Sequence, residues 1–364
     1  MPYKKNVKEP AKAPSKEKKI DQIMEQLEDG LQDLFDSDSY KNWMQMCSKL
    51  HSYSLNNTIL IAMQAGRIEG FTGILQGYQG WQKNFNRQVV KGSKGITILA
   101  PSPYKRKVMQ DVVDPVTNKP VIGADGKNKQ EEVEIKVNAF RPVTIFDACQ
   151  TEGDPLPQLG VDELKISVDN YDDFIAVLMD IAPVPVEFSN IEGGAKGYFS
   201  PSEQKIVIHE GMPEAQTIKT FVHEICHSLV DDKDHVRIEG LNLENRSKQD
   251  KEVTAESCAF IVLNAMGIDC SDYSMGYIAG YSSGKDLKEL KESLDIIKKT
   301  SDLLIDKLED GLAERAKERN AELGNQSKDN KPSIKKRLKD KQIAVTKVPK
   351  KDAIIQSKTK ELAL

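Results

Sequence analysis

Apolar residues along the chain recur at two different periods, and the change of period predicts its elements. Ile20, Ile23, Met24, Leu27, Leu31 and Leu34 repeat at helical spacing, and a second helical pattern runs from Trp43 to Gln64. From Gly66 to about Pro101, glycines punctuate short β-like runs that end in the strand GITILAP. Two turn signals follow, Asp114-Pro115 and Ala124-Asp125-Gly126, flanked by VMQDVV and EEVEIKV, which predicts a long hairpin across 103–139. VTIFDACQ reads as the last strand of this half. Beyond it the pattern predicts a helix near 171–181, a hairpin through GYFSPSEQKIVIHEG, and helices near 214–230, 250–267 and 285–320.

Between the two patterned stretches lies 151–163, TEGDPLPQLGVDE, with two prolines, two glycines and four acids; it reads as a linker. The expected organisation is α+β in two domains, 20–150 and 164–325, the second mainly helical with a small antiparallel sheet. Residues 1–19 read as a basic disordered arm and 326–364 as a Lys-rich tail.

Composition narrows the setting. The 364 residues carry a net charge of -4, so a nucleic-acid site needs a local basic patch. No run approaches the ~18 apolar residues of a membrane span, and the N-terminus lacks an apolar signal core. Five cysteines (Cys47, Cys149, Cys226, Cys258 and Cys270) form no CxxC pair. That usage fits a reducing cytoplasm, with no membrane partner.

The strongest chemical signal is His223-Glu224-Ile225-Cys226-His227, an H-E-x-x-H motif behind the apolar-patterned AQTIKTFV. Residues four apart share a helix face, so His223 and His227 can both aim imidazole nitrogens at one Zn²⁺. Glu224 is placed as general base for hydrolysis of a peptide bond. The extended pattern H-E-x-x-H-x-x-G-x-x-H fails, because Val230 and Lys233 stand where Gly and His are required. A third ligand is expected from KEVTAESCAFIVL, where Glu252 and Glu256 share a face. Glu252 is the expected ligand and Glu256 the orienter of a ligating histidine, with Glu256 or His235 as alternative ligands. Tyr273, Tyr277 and His235 are candidate oxyanion partners, although a structural role suits each better. Cys226, His51 and His209 read as core, structural or surface residues.

A second stretch, GYQGWQKNFNRQVVKGSKG, interleaves Tyr78, Trp81 and Phe85 with Lys83, Arg87, Lys91 and Lys94 and contains no acid. Rings that stack bases beside cations that meet phosphates suit single-stranded nucleic acid. The ordinary alternative places Trp81 and Phe85 in a core under solvated lysines.

Three segments, YSLNNTILIAMQ (53–64), GYQGWQKNFNRQVVKGSKGITILAP (77–101) and IFDACQTEG (145–153), resemble the N-terminal domain of ArdC-type antirestriction proteins. HEICHSL followed by KEVTAESCAFIVLNAMGID resembles the zincin-like domain those proteins carry, and relatives on conjugative elements are often called LtrC-like. The likeness covers about 40–280. It implies a single-stranded-DNA-binding domain joined to a zinc-metallopeptidase-like domain, in a protein that travels with or acts on incoming DNA during conjugation and blunts host restriction. The matching positions are Tyr53, Asn57, Gln64, Trp81, Arg87, Lys91, Gly92, Lys94 and Gly95 for DNA, and His223, Glu224, His227 and Glu252 for metal. Phe85-Asn86 departs from the family, which more often has a Gly before the Arg. Two other readings remain open: a DNA-protective protein with a structural or vestigial zinc site, and a plain cytosolic metallopeptidase.

Overall fold

The computed structural model describes residues 16–34, 37–114, 117, 119–123, 126–156, 171–232, 235, 237–244, 246–268 and 286–322. Residues 1–15 of the expected arm, most of the expected linker, Tyr273, Tyr277 and the Lys-rich tail lie outside the described residues, whereas 16–19, expected to belong to the arm, are helical.

The chain opens with α1 (Lys16–Asp33), α2 (Ser37–Lys49) and α3 (Leu55–Ala65). The apolar pattern expected to run on from Trp43 to Gln64 is thus broken into two helices. Ser54 starts the second by accepting from the Asn57 amide. At the break, Lys298 donates to the carbonyls of Leu50 and His51 at 3.3 Å each and pairs with Asp302 at 2.6 Å. Lys298 is almost fully buried, so its charge is tolerable only with those partners.

A three-stranded antiparallel sheet follows, in the order β1 (Leu75–Gly77), β6 (Phe140–Asp147), β3 (Ile96–Pro101). Between its strands lie α4 (Tyr78–Phe85), β2 (Arg87–Val89) and the hairpin of β4 (Tyr104–Asp111) with β5 (Gln130–Val137). β7 (Thr151–Gly153) pairs with β2, so the first three residues of the expected linker belong to a sheet instead.

The second half comprises α5 (Tyr171–Ile181), β8 (Val186–Ser189), β9 (Gly197–Ser200), β10 (Lys205–His209), α6 (Glu214–Val230), α7 (Lys248–Ala265) and α8 (Leu287–Glu322). β10 is the middle strand, antiparallel to β9 but parallel to β8. The expected antiparallel sheet is therefore mixed, because the chain reaches β9 before returning to insert β10 beside β8.

The fold is mixed α+β, as expected, but the two halves are not cored separately. One cluster of buried side chains runs from Ile23, Leu27 and Trp43 of α1 and α2 to Phe221, Phe260 and Leu308 of α6, α7 and α8. Tyr40 on α2 bonds Ser257 on α7 at 2.9 Å, and Ser48 donates to Asn264 at 2.8 Å. Composition marks a linker in the chain at 151–163, yet α1–α3 pack on the helices beyond it. Among the described residues, no helix is long and apolar enough to cross a membrane.

Candidate metal centre and the aromatic-basic stretch

Helix α6 carries His223, Glu224 and His227, and its apolar face buries Ile218, Phe221, Val222, Ile225 and Leu229. Those side chains fix the helix's rotation and leave the two imidazoles on the face met by α7. The Nε2 atoms of His223 and His227 lie 3.0 Å apart. Glu252 Oε2, from the second turn of α7, is 3.7 Å from the first and 3.8 Å from the second. One ligand atom from each of the three lies within 4.8 Å of the others. Neighbouring ligand atoms of a tetrahedral zinc with ~2.0–2.1 Å bonds are about 3.3 Å apart, so the spacing suits a small cation.

The protons suit it as well. His227 Nδ1 is 2.5 Å from Asp231 Oδ2. An imidazole that gives its Nδ1 proton to a carboxylate presents a lone pair on Nε2, the form a metal requires. Arg246 holds Asp231 in place, reaching its Oδ1 at 2.9 Å while also bonding the Val230 and Asp250 carbonyls and Thr254. Burial pushes the His227 pKa down, but the hydrogen bond and charge of Asp231 outweigh it, and the net direction is up. His223 has no such hydrogen-bonded carboxylate, and burial, with His227 beside it, takes its pKa down to about 4.

The residue that hydrogen-bonds a candidate ligand is therefore Asp231, which sequence reasoning missed. It stands four after His227, and the same helical spacing that pairs the histidines points to it. Glu256, expected in that role, approaches His223 Nδ1 only to 3.7 Å and pairs with Lys219 at the same distance. His223 Nδ1 is buried without a hydrogen-bond partner. His235, the alternative ligand, turns away to Asp232 at 2.9 Å.

Glu224 is buried beside the trio. Burial raises its pKa to about 7, with His227 and a Phe199 backbone hydrogen bond acting against the rise and Glu252 adding to it. Such a carboxyl can take up and release a proton near neutrality. Strand β9 crosses directly over it: a Cβ on Gly197 would lie 2.7 Å from Thr220 and 3.2 Å from Glu224, so only glycine allows that approach. Beside this end of β9 is a cavity of about 420 Å³ lined by Lys196, His209, Met212 and Gln216, among others.

The aromatic-basic stretch is arranged differently from a stacking platform. Residues 78–85 form α4, which turns Trp81 and Phe85 inward on one face. Trp81 is fully buried, and its indole donates to the Phe146 carbonyl at 2.9 Å. It is a core residue, which corrects the expectation of base stacking. Arg87 spends its guanidinium on the β7 strand, bonding Thr151 Oγ1 at 2.8 Å and the carbonyls of Thr151 and Asp154 at 2.6 and 2.5 Å. Asn57 and Gln64 tie α3 to β3, each giving to and taking from one strand residue, Leu99 and Thr97 respectively. All three side chains hydrogen-bond the scaffold, mostly its backbone. Tyr53 is half-buried against the β-sheet core. Lys83, Lys91 and Lys94 remain exposed, as does Tyr78.

Residues 14–146 match the family described as the N-terminal domain of anti-restriction factor ArdC. Among solved structures, the chain is similar to the antirestriction ArdC protein from the R388 plasmid in its metal-free form, with 19% identity and a TM-score of 0.42. That alignment covers 72% of this chain and 86% of the other. The Mn(II)-bound form of the same protein gives 18% identity and a TM-score of 0.41, over 72% of this chain and 85% of that one. No curated protein matches the sequence. The ArdC-type match ends at residue 146, so it includes Trp81, Arg87 and the exposed lysines and excludes every residue of the candidate metal centre.

Proposed function

We propose that the chain is an antirestriction protein of a mobile or conjugative element, acting in the cytoplasm, whose ArdC-type domain engages single-stranded DNA and whose second half is a zincin-like, zinc-dependent metallopeptidase. The observation that carries the hydrolytic half is the convergence of His223, His227 and Glu252, with Glu224 buried beside them. A divalent cation is supported by the donor set of two imidazoles and a carboxylate. Zinc suits those donors, and Mn(II), which the R388 protein binds, is the second metal to test.

When bound, the cation supplies Lewis-acid polarisation of a scissile carbonyl. The chain's own residues do the rest. His223, His227 and Glu252 would hold the cation, with Asp231 fixing the ring of His227. Glu224 accepts a proton from the attacking water and returns it to the leaving amine. The outer edge of β9 has no strand partner among the described residues and lies over Glu224, where an extended peptide can add as a further strand. The reading of a structural or vestigial site has no use for a buried carboxyl at that point.

The experiment is Glu224→Gln in the full chain, assayed for metal content, hydrolysis of a denatured protein, and binding to single-stranded oligonucleotides across a salt series. The variant is expected to keep its metal, lose hydrolysis by at least ~10²-fold, and keep its DNA affinity, since no DNA candidate touches Glu224. Lys91→Ala or Lys94→Ala is expected to flatten the salt slope of single-strand binding by about 0.7 for each phosphate the protein no longer neutralises, with duplex bound more weakly. Undiminished hydrolysis by Glu224→Gln would remove the peptidase reading. Salt-independent DNA binding would remove the other half.

A further inference from the structure

The β4–β5 hairpin stands apart from the rest of the fold. It is a sheet of only two strands, and among the described residues its extended contacts are between its own strands. Two-stranded ribbons are marginal in water unless an apolar face is covered. This ribbon has such a face. The register places Tyr104 opposite Val137, Arg106 opposite Ile135, Val108 opposite Val133, and Gln110 opposite Glu131, and these four rows share one side. Tyr104 is 51% exposed and Ile135 38%.

The opposite side is charged, with Lys105 paired to Glu134 and Lys107 to Glu132. On the apolar side neither Arg106 nor Glu131 has an ion-pair partner among the described residues. Their positions are related: Arg106 stands one row toward the base from the Val108–Val133 row, and Glu131 one row toward the tip.

We propose that this face is a self-association surface, and that its partner is a second copy of the same chain, packed face to face with its ribbon reversed. A two-fold axis lying across the Val108–Val133 row turns one ribbon over and reverses its direction. The valines of both copies then meet at the centre. The base row of each copy, with Arg106, meets the tip row of the other, with Gln110 and Glu131. Each contact away from the axis occurs twice, as a two-fold interface requires. The two unpaired charges thus find opposite charge, while a parallel arrangement would leave both without it. Reversal about that row overlaps seven residues of each strand, a contact about 24 Å long and two strands wide, which sets the association at the weak end of specific interfaces.

Sedimentation equilibrium of the full chain from about 1 to about 100 μM tests this. The wild type is expected to show a reversible monomer–dimer equilibrium, and Val108→Lys to abolish it. Arg106→Glu and Glu131→Arg are each expected to weaken the dimer at least about tenfold, and the double variant Arg106→Glu/Glu131→Arg to restore it. Both charged residues are exposed, so these variants keep the proposal testable even if Val108→Lys melts early by circular dichroism. A wild type that stays monomeric throughout overturns the proposal. So does a double variant no tighter than its parents, or a face whose only measurable loss in Arg106→Glu is of oligonucleotide binding.

Discussion

Trp81→Ala is expected to lower the unfolding free energy of the chain by about 3–5 kcal/mol, the range for deleting a buried aromatic ring. The ring is fully buried and packs on Phe85 with centroids 5.3 Å apart. Its removal leaves a cavity beneath α4, and the Phe146 carbonyl loses the indole donor that now satisfies it. A stacking tryptophan would behave in the opposite way. Its loss would cost ~1–3 kcal/mol of binding per base and leave the melt unchanged. Denaturant unfolding of Trp81→Ala beside Lys94→Ala separates the two. A displaced midpoint is expected in the first, and stability within about 0.5 kcal/mol of wild type in the second. An unchanged midpoint in Trp81→Ala with single-strand affinity lost would restore the ring to the DNA surface.

The second large effect belongs to α7. Glu252→Ala is expected to weaken metal binding by more than ~100-fold, whereas Asp231→Ala is expected to cost ~10–100-fold and Glu256→Ala less than either. Geometry sets that order. Glu252 faces the Nε2 atoms of both histidines, Asp231 grips the Nδ1 of one, and Glu256 stands 3.7 Å from the Nδ1 of the other while paired to Lys219. Competition against a chelating dye measures all three. A larger loss at Glu256 than at Glu252 would mean that the two carboxylates have exchanged roles.

Much of the candidate centre is legible along the chain, and the parts that are not share a cause. The helix of the H-E-x-x-H motif, 214–230, follows from its apolar period alone, and His223, Glu224 and His227 come together by that period. The i, i+4 rule puts Glu252 and Glu256 on one face. Which of them meets the histidines depends on how α7 is rotated as it crosses α6, and that lies outside its own sequence. α7 buries almost every side from Val253 to Leu263, so it has no apolar stripe from which a rotation could be read.

In 77–95 the residue types are informative but the element is easily mistaken. Trp81 and Phe85 are four apart, a helical interval, yet the glycines and alternating cations suggest an open β-like surface. Arg87 looks like a phosphate contact because its partners, Thr151 and Asp154, are more than 60 residues away. The linker is legible as composition, but packing of α1–α3 on α7 and α8 is a long-range fact that no local pattern reports. Asp231 is the exception, since its spacing from His227 is as local as the motif itself.

The central claim is that His223, His227 and Glu252 form one divalent-metal centre. Metal content per chain, by inductively coupled plasma mass spectrometry on the full chain purified with and without added zinc, tests it most directly. About one zinc per chain is expected in the wild type and none retained by His223→Ala/His227→Ala, since a single carboxylate cannot hold the ion. Equal metal content in the wild type and the double variant would contradict it.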